Sequence, residues 1–211
     1  MPMKVAIIGA GSLGRALGTQ LARCGHAIMF GGTASAQEAA TEQGATAGSN
    51  AEAAAFGDVV VLAVPFADVS GALSEAGSLD GRVLWCCVNA LKRDLSGLAV
   101  GFDTSAAEEV ARRVPRARVV GALPPFAQAV AAGDLTYAGG LSPTVFVCGD
   151  DAEAKRIIER LLQQVGAHAV DAGPLSASRL IEPAMMLLVS LAYAGIPRDL
   201  GLRLLERRGA H

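Results

Sequence analysis

Apolar residues fall along this chain in two rhythms that alternate from one end to the other. Short unbroken runs (Val5-Ala6-Ile7-Ile8, Ala27-Ile28-Met29-Phe30, residues 58–64, 82–88, 118–122, 144–148 and 168–171) read as strands, with a weaker one at 45–47. An unbroken apolar strand is what a parallel sheet covered on both faces requires. Between the runs the spacing turns helical. Arg15, Ala16, Leu17, Leu21 and Ala22 follow the first strand, and polar, alanine-rich 37–43 ends at Gly44. Residues 50–56 follow Ser49 or Asn50 as N-cap, 68–76 form another helix, and 105–114 end at Pro115. Ile157, Ile158, Leu161, Leu162 and Val165 stripe a helix over 152–165. A last helix carries Ser176, Ser178, Arg179 and Glu182, either with Ser176 as its cap and Arg179 paired to Glu182 or Asp171, or with Ser176, Ser178 and Arg179 touching a second cofactor or a partner chain; Pro183 starts or kinks its apolar part, and 198–208 form a short amphipathic end. Strand and helix in alternation predict an α/β fold: a Rossmann-type, doubly wound, mostly parallel sheet with a small C-terminal α/β extension and terminal helices. The Gly139-Gly140 link divides residues 1–138, a dinucleotide-binding unit, from 139–211, the extension packed on it.

The first strand runs directly into Gly9-Ala10-Gly11-Ser12-Leu13-Gly14. In a strand–turn–helix setting each glycine has a mechanical reason. The first turns the chain sharply, the second admits a pyrophosphate to the backbone, and the third brings the helix close to the sheet. The helix start then offers unpaired N–H groups and a positive dipole end to an anion. After the second strand come Gly31-Gly32-Thr33-Ala34-Ser35, with no carboxylate before Glu38. An NAD-selective fold places an acidic residue here for the ribose 2′-hydroxyl. Its absence favours NADP(H), with the Gly32 N–H, Thr33 and Ser35 as donors to a 2′-phosphate. Ligands of such sheets lie beyond the carboxyl ends of the strands, which directs attention to Val64, Pro65 and Phe66, to Asn89 and Ala90, and to Pro125 and Phe126. Pro65, Phe66, Pro125 and Phe126 are expected to line a ring site; the alternative for the phenylalanines is to cap the core.

With 52% hydrophobic and 18% charged residues over 211 positions, a sizeable core is easily filled. Lys+Arg 18 against Asp+Glu 20, without a basic run, argues against nucleic acid as partner. Cys24, Cys86, Cys87 and Cys148 contain no C-x-x-C pair, so neither a metal site nor a disulfide framework is expected, and a cytoplasmic location fits. The first strand begins too early for a signal peptide, and the longest apolar stretch, 184–196, is interrupted by Ser190 and Gly195 and falls short of a bilayer span. No membrane partner is expected. His26 reads as a turn residue, and Met185, Met186, Leu187, Leu188 and Val189 as core or homodimer contact.

The glycine loop, Val61-Leu62-Ala63-Val64-Pro65, Val147-Cys148-Gly149-Asp150-Asp151 and, most distinctively, Asp171-Ala172-Gly173-Pro174-Leu175-Ser176-Ala177-Ser178-Arg179-Leu180-Ile181-Glu182 resemble the coenzyme F420-dependent NADP oxidoreductases over nearly the whole chain. The resemblance implies NADP(H) along the glycine loop and strand ends, with hydride passing directly between the nicotinamide and a deazaflavin, coenzyme F420, or a flavin. The chain departs from the family pattern at Gly32-Thr33, where the pattern has Ser-Arg, and at Pro124-Pro125, where it has His-Thr. Direct hydride transfer asks for no acid or base, and Lys92 is the only obvious titratable candidate in the loops. Two other readings remain open: a non-catalytic NAD(P)H sensor, and an NADPH-dependent ferric or flavin reductase.

Overall fold

A computed structural model describes residues 1–32, 34–196 and 200–207. Eight strands form one sheet in the order β3-β2-β1-β4-β5-β6-β7-β8: β1 Lys4–Ile8, β2 Ala27–Gly31, β3 Thr46–Gly48, β4 Val59–Leu62, β5 Val83–Cys86, β6 Arg118–Ala122, β7 Thr144–Gly149 and β8 His168–Asp171. All neighbouring pairs are parallel except β6 and β7, which run antiparallel with Gly121 opposite Cys148. The strand order reverses between β1 and β4, which face each other from Val5↔Val59 to Ile8↔Leu62. That reversal opens a crevice at their carboxyl ends.

The helices are α1 Ser12–Arg23, α2 Ala34–Gln43, α3 Asn50–Phe56, α4 Val69–Ala76, α5 Ala106–Arg113, α6 Ala127–Ala132, α7 Ala152–Gln164 and α8 Ser178–Tyr193. Alternation along the strands divides the core between the two faces of the sheet. Val5, Ile7, Val61 and Trp85 pack under α1, α2, α6 and α7, whereas Ala6, Ile8, Val60 and Leu84 pack under α3, α4, α5 and α8. The adjacent Cys86 and Cys87 likewise turn to opposite faces. Trp85 is fully buried and satisfies its one donor by giving Nε1–H to the Ala122 carbonyl at 2.9 Å. His26 has the structural place expected of it: its Nδ1 accepts from the Met3 N–H at 3.1 Å, and Nε2 meets Gln164 Oε1 at 2.9 Å, tying the β2 start to the α7 end.

Local rules account for most boundaries. Ser49 caps α3 in a reciprocal capping box with Glu52, and Asp151 caps α7 through the Ala154 N–H at 2.8 Å. The structure differs from the sequence expectation in several elements. The third strand is shifted one residue, to Thr46–Gly48, and α2 begins earlier, at Ala34. Helix α6 has no apolar stripe that spacing could detect. Ser176 does not cap α8, whose N-cap position is Ala177, without a side-chain cap; Pro183 lies inside that helix, five residues after its first residue, Ser178. From Leu200 to Arg207 there is no regular element. Instead this stretch runs beside β7, where the Thr144 N–H donates to the Leu202 carbonyl at 2.7 Å; residues 198, 199 and 208 of the expected amphipathic end lie outside the described residues. Counted from the 3-10 turn at Leu175, the segment Leu175–Tyr193 has the length and apolarity of a membrane-crossing helix, longer than the stretch counted from 184. Its polar Ser178 and Glu182 are turned onto protein.

Candidate functional site

The glycine loop lies at the switch point, and its three glycines meet three different surroundings. Gly9 has φ +108, and a Cβ there would lie 2.4 Å from the Ala63 carbonyl oxygen and 2.8 Å from Val64 Cγ1. The loop therefore presses against the end of β4, bringing Gly9 and Val64 together. A Cβ on Gly14 would fall 1.9 Å from the Gly9 carbonyl oxygen and 3.1 Å from Ile7 Cγ2, so α1 docks on β1 at a distance only glycine allows. At Gly11 the same construction meets nothing within 4 Å. The protein itself makes no steric demand for glycine at 11; the space kept open is outside the chain, over the first turn of α1. That turn has no side-chain cap and no acidic residue, and its leading N–H groups have no partners within the helix. Charge and shape both suit a diphosphate.

Around the carboxyl ends of β5 and β6 lies a cavity of about 190 Å³, lined by Leu13 of the glycine loop, Cys87, Asn89 and Leu91 after β5, Leu123 to Ala127 after β6, and Met185 and Val189 of α8. The structure thus gathers Leu13, Asn89, Pro125 and Phe126 in one place. Ala90 is buried behind them. Pro65 is exposed and Phe66 half-buried against the core cluster under α4, and neither lines the cavity. The lining is apolar apart from Asn89 and the Cys87 thiol. Burial pushes that thiol well above its ordinary range, so it stays neutral and unreactive. Lys92 is exposed and is not part of the lining.

At the β2 corner one expected donor is already engaged: the Gly32 N–H gives its hydrogen bond to the Gly48 carbonyl at 3.0 Å, because β2 and β3 stay paired to their ends. Thr33 lies outside the described residues, and Ser35 is exposed in the first turn of α2. The corner instead receives a cation that strand-end reasoning overlooked. Arg15, one turn into α1, reaches across to donate to the Ser35 carbonyl at 3.2 Å, to Glu38 at 3.0 Å and to Glu42 at 2.8 Å, while its Nε holds the Ala10 carbonyl at 3.1 Å. The signal was an arginine directly after the third glycine of the motif. Such a side chain spans from the glycine loop to the first turns of α2, two places no local window connects.

Behind the cavity is a polar cluster that the sequence pairs differently. Arg179 binds Glu108 through Nε and Nη2 at 2.6–3.1 Å, not Glu182 or Asp171, and Asp171 pairs with Lys155 at 2.7 Å. The Arg179 guanidinium holds the Glu108 carboxyl below its usual range. Glu182, only 3% exposed, accepts from the Ala106 and Ala107 N–H groups at 2.9 and 3.1 Å, which places its carboxylate on the N-terminus of α5. Burial pushes its carboxyl up to about 7, even though those N–H groups favour the charged form.

Comparison with known proteins follows the same lines. Residues 4–90 match the family model for "NADP oxidoreductase coenzyme F420-dependent". The F420-dependent NADP reductase of Methanocaldococcus jannaschii is 29% identical over 222 residues, covering 96% of this chain and 98% of that protein. Its counterpart from Methanothermobacter marburgensis is 28% identical over 225 residues, with 96% and 98% covered. A crystal structure from Arthrobacter sp. FB24, described as a candidate F420-dependent NADP reductase, superposes with a TM-score of 0.87 at 27% identity, covering 97% of this chain and all of that one. Residues 4–90 follow the family pattern and the full length aligns with those reductases, so the chain is similar to the coenzyme F420-dependent NADP oxidoreductases.

Proposed function

We propose that the protein is an NADP(H)-linked oxidoreductase that exchanges hydride with coenzyme F420. The observation that carries this reading is the open space at Gly11: a glycine its own fold does not require, over an uncapped helix start that continues through Leu13 into the cavity of Asn89, Pro125 and Phe126. The names of the full-length relatives supply the second cofactor. When bound, the nicotinamide gives or takes the hydride and the deazaflavin is its counterpart. The chain's part is placement: the α1 amides hold the diphosphate, Val64 and Gly9 set the rim, and the apolar walls exclude water. Reacting carbons must be held about 3–3.5 Å apart for such a transfer. No general acid is needed, in keeping with a lining that holds no charged side chain.

The test is direct. Absorbance of NADPH falls when F420 is added to the protein, and FMN, FAD, a ferric chelate and a small imine serve as comparison acceptors. NADPH binding without turnover of any acceptor would instead identify a sensor. Replacing Gly11 by Val fills the open space with a branched side chain; NADPH binding is lost, while circular dichroism stays that of the wild type. Arg15 supports selectivity for the 2′-phosphate, although Glu38 and Glu42 share its charge. Arg15→Ala is expected to weaken NADPH about tenfold, the worth of one charge-assisted contact, and NADH little. Equal loss for both would remove Arg15 from the ribose site.

A further inference from the structure

We propose that Glu182 is the positioning residue of the ring cavity, tying together the two walls that close it. One wall is the segment after β5, Asn89 to Leu91; the other is the α8 face that presents Met185 and Val189. Glu182 lies one turn before Met185 and touches the first wall twice. Its backbone carbonyl accepts from Asn89 Nδ2 at 3.3 Å, and its carboxylate also faces the Ala90 N–H. The same carboxylate takes the Ala106 and Ala107 N–H groups, anchoring both walls to α5. Beside it Ser178 meets Ser105 at 2.6 Å, so the α8–α5 seam is fastened by buried polar contacts. The inference rests on the proposed binding of a nicotinamide ring in this cavity, and it assigns the height and separation of the walls to one side chain that never touches the ring.

The carboxylate sits among three backbone donors. A proton on it leaves one of them facing a hydroxyl instead of a lone pair, and the seam loosens at Ala90 or at α5. The other titratable and charged groups turned toward it are Cys86 on β5, Cys148 on β7 and Glu108 on α5, the last neutralised by Arg179. Burial holds both thiols up at about 12, so neither changes charge near neutrality. Glu182 itself, pushed up to about 7, does.

The test compares calorimetric affinities for NADPH and for 2′-phospho-ADP-ribose, which lacks the ring. Their ratio isolates what the ring cavity contributes and cancels titration of the shared 2′-phosphate. In the wild type the ratio falls between pH 8 and pH 6. In Glu182→Gln, a neutral isostere, it stays at the wild-type pH 6 value throughout. In Glu182→Ala it drops about three- to tenfold, the worth of one hydrogen bond, while affinity for 2′-phospho-ADP-ribose is kept. A ratio in Glu182→Gln that still follows pH, a wild-type ratio that does not, or equal weakening of both ligands in the two variants would overturn the assignment, the last leaving Glu182 a packing role only. A wild type that binds neither ligand is a separate outcome: it removes the functional reading, and the inference with it.

Discussion

Gly11 and Gly14 stand three positions apart and answer opposite demands. Gly14 is glycine because the backbone carbonyl of Gly9 occupies the place of its Cβ; Gly11 is glycine although nothing in the chain does. Alanine at 14 should therefore destabilise by about 1–3 kcal/mol or more, since rigid backbone must move. Alanine at 11 should cost within about 1 kcal/mol, the range of an N-cap change. Urea unfolding of the two variants measures the contrast, and equal losses would contradict it. At this scale the sequence reads well wherever a residue's role is decided by its immediate neighbours, as in the glycine motif or the Ser49 cap. It reads poorly where partners are distant along the chain. Arg179 finds Glu108, 71 positions away, in preference to the nearer Glu182, because Glu182 is drawn instead to the N–H groups of a helix start. The Gly32 N–H is spent on the sheet ladder, which residue type alone cannot reveal.

Among elements, the long apolar strands and the stripes of α7 were legible, and β6 and β8 agree with their expected limits residue for residue. Helix α6 was not. Six residues, mostly alanine, after Pro124-Pro125-Phe126 carry too little periodicity to separate a helix from a loop, and tertiary contact with α1 decides it. Helix α8 brings a pH dependence of stability through Glu182. Its folded pKa, about 7, lies above the ordinary value of 4.5. The folded state thus holds a proton that the unfolded chain releases, and the stability linked to it is fully present below pH 4.5 and lost as pH rises through 7. The shift corresponds to about 3 kcal/mol. Denaturation midpoints of the wild type should fall over that window, and those of Glu182→Gln should not follow. Parallel curves for the two proteins would show that another group titrates there. Folding and ring placement pull against each other at this side chain: the proton that favours the fold unfastens the seam.

For the whole molecule, fold class and the location of the crevice followed from the alternation of strands and helices, but which surfaces stay open did not. Helix α8 leaves Leu180, Leu187 and Tyr193 at 74%, 58% and 71% exposure, with Leu180 and Leu187 two turns apart on one side. Such a surface is predicted to be shared between two copies of the chain. Size-exclusion chromatography at micromolar concentration should show a dimer, and Leu187→Asp should convert it to a monomer; a wild-type monomer at that concentration removes the prediction. The reversed direction of β7 has a broader consequence. Because β7 and β8 descend while β1, β4, β5 and β6 ascend, the chain arrives at the foot of the sheet with one helix still to build. That helix climbs back toward the crevice, which is how residues as late as Met185 and Val189 come to roof a chamber founded on Leu13. Were β7 to ascend with the others, the last helix would head downward, and the chamber would need a roof from somewhere else.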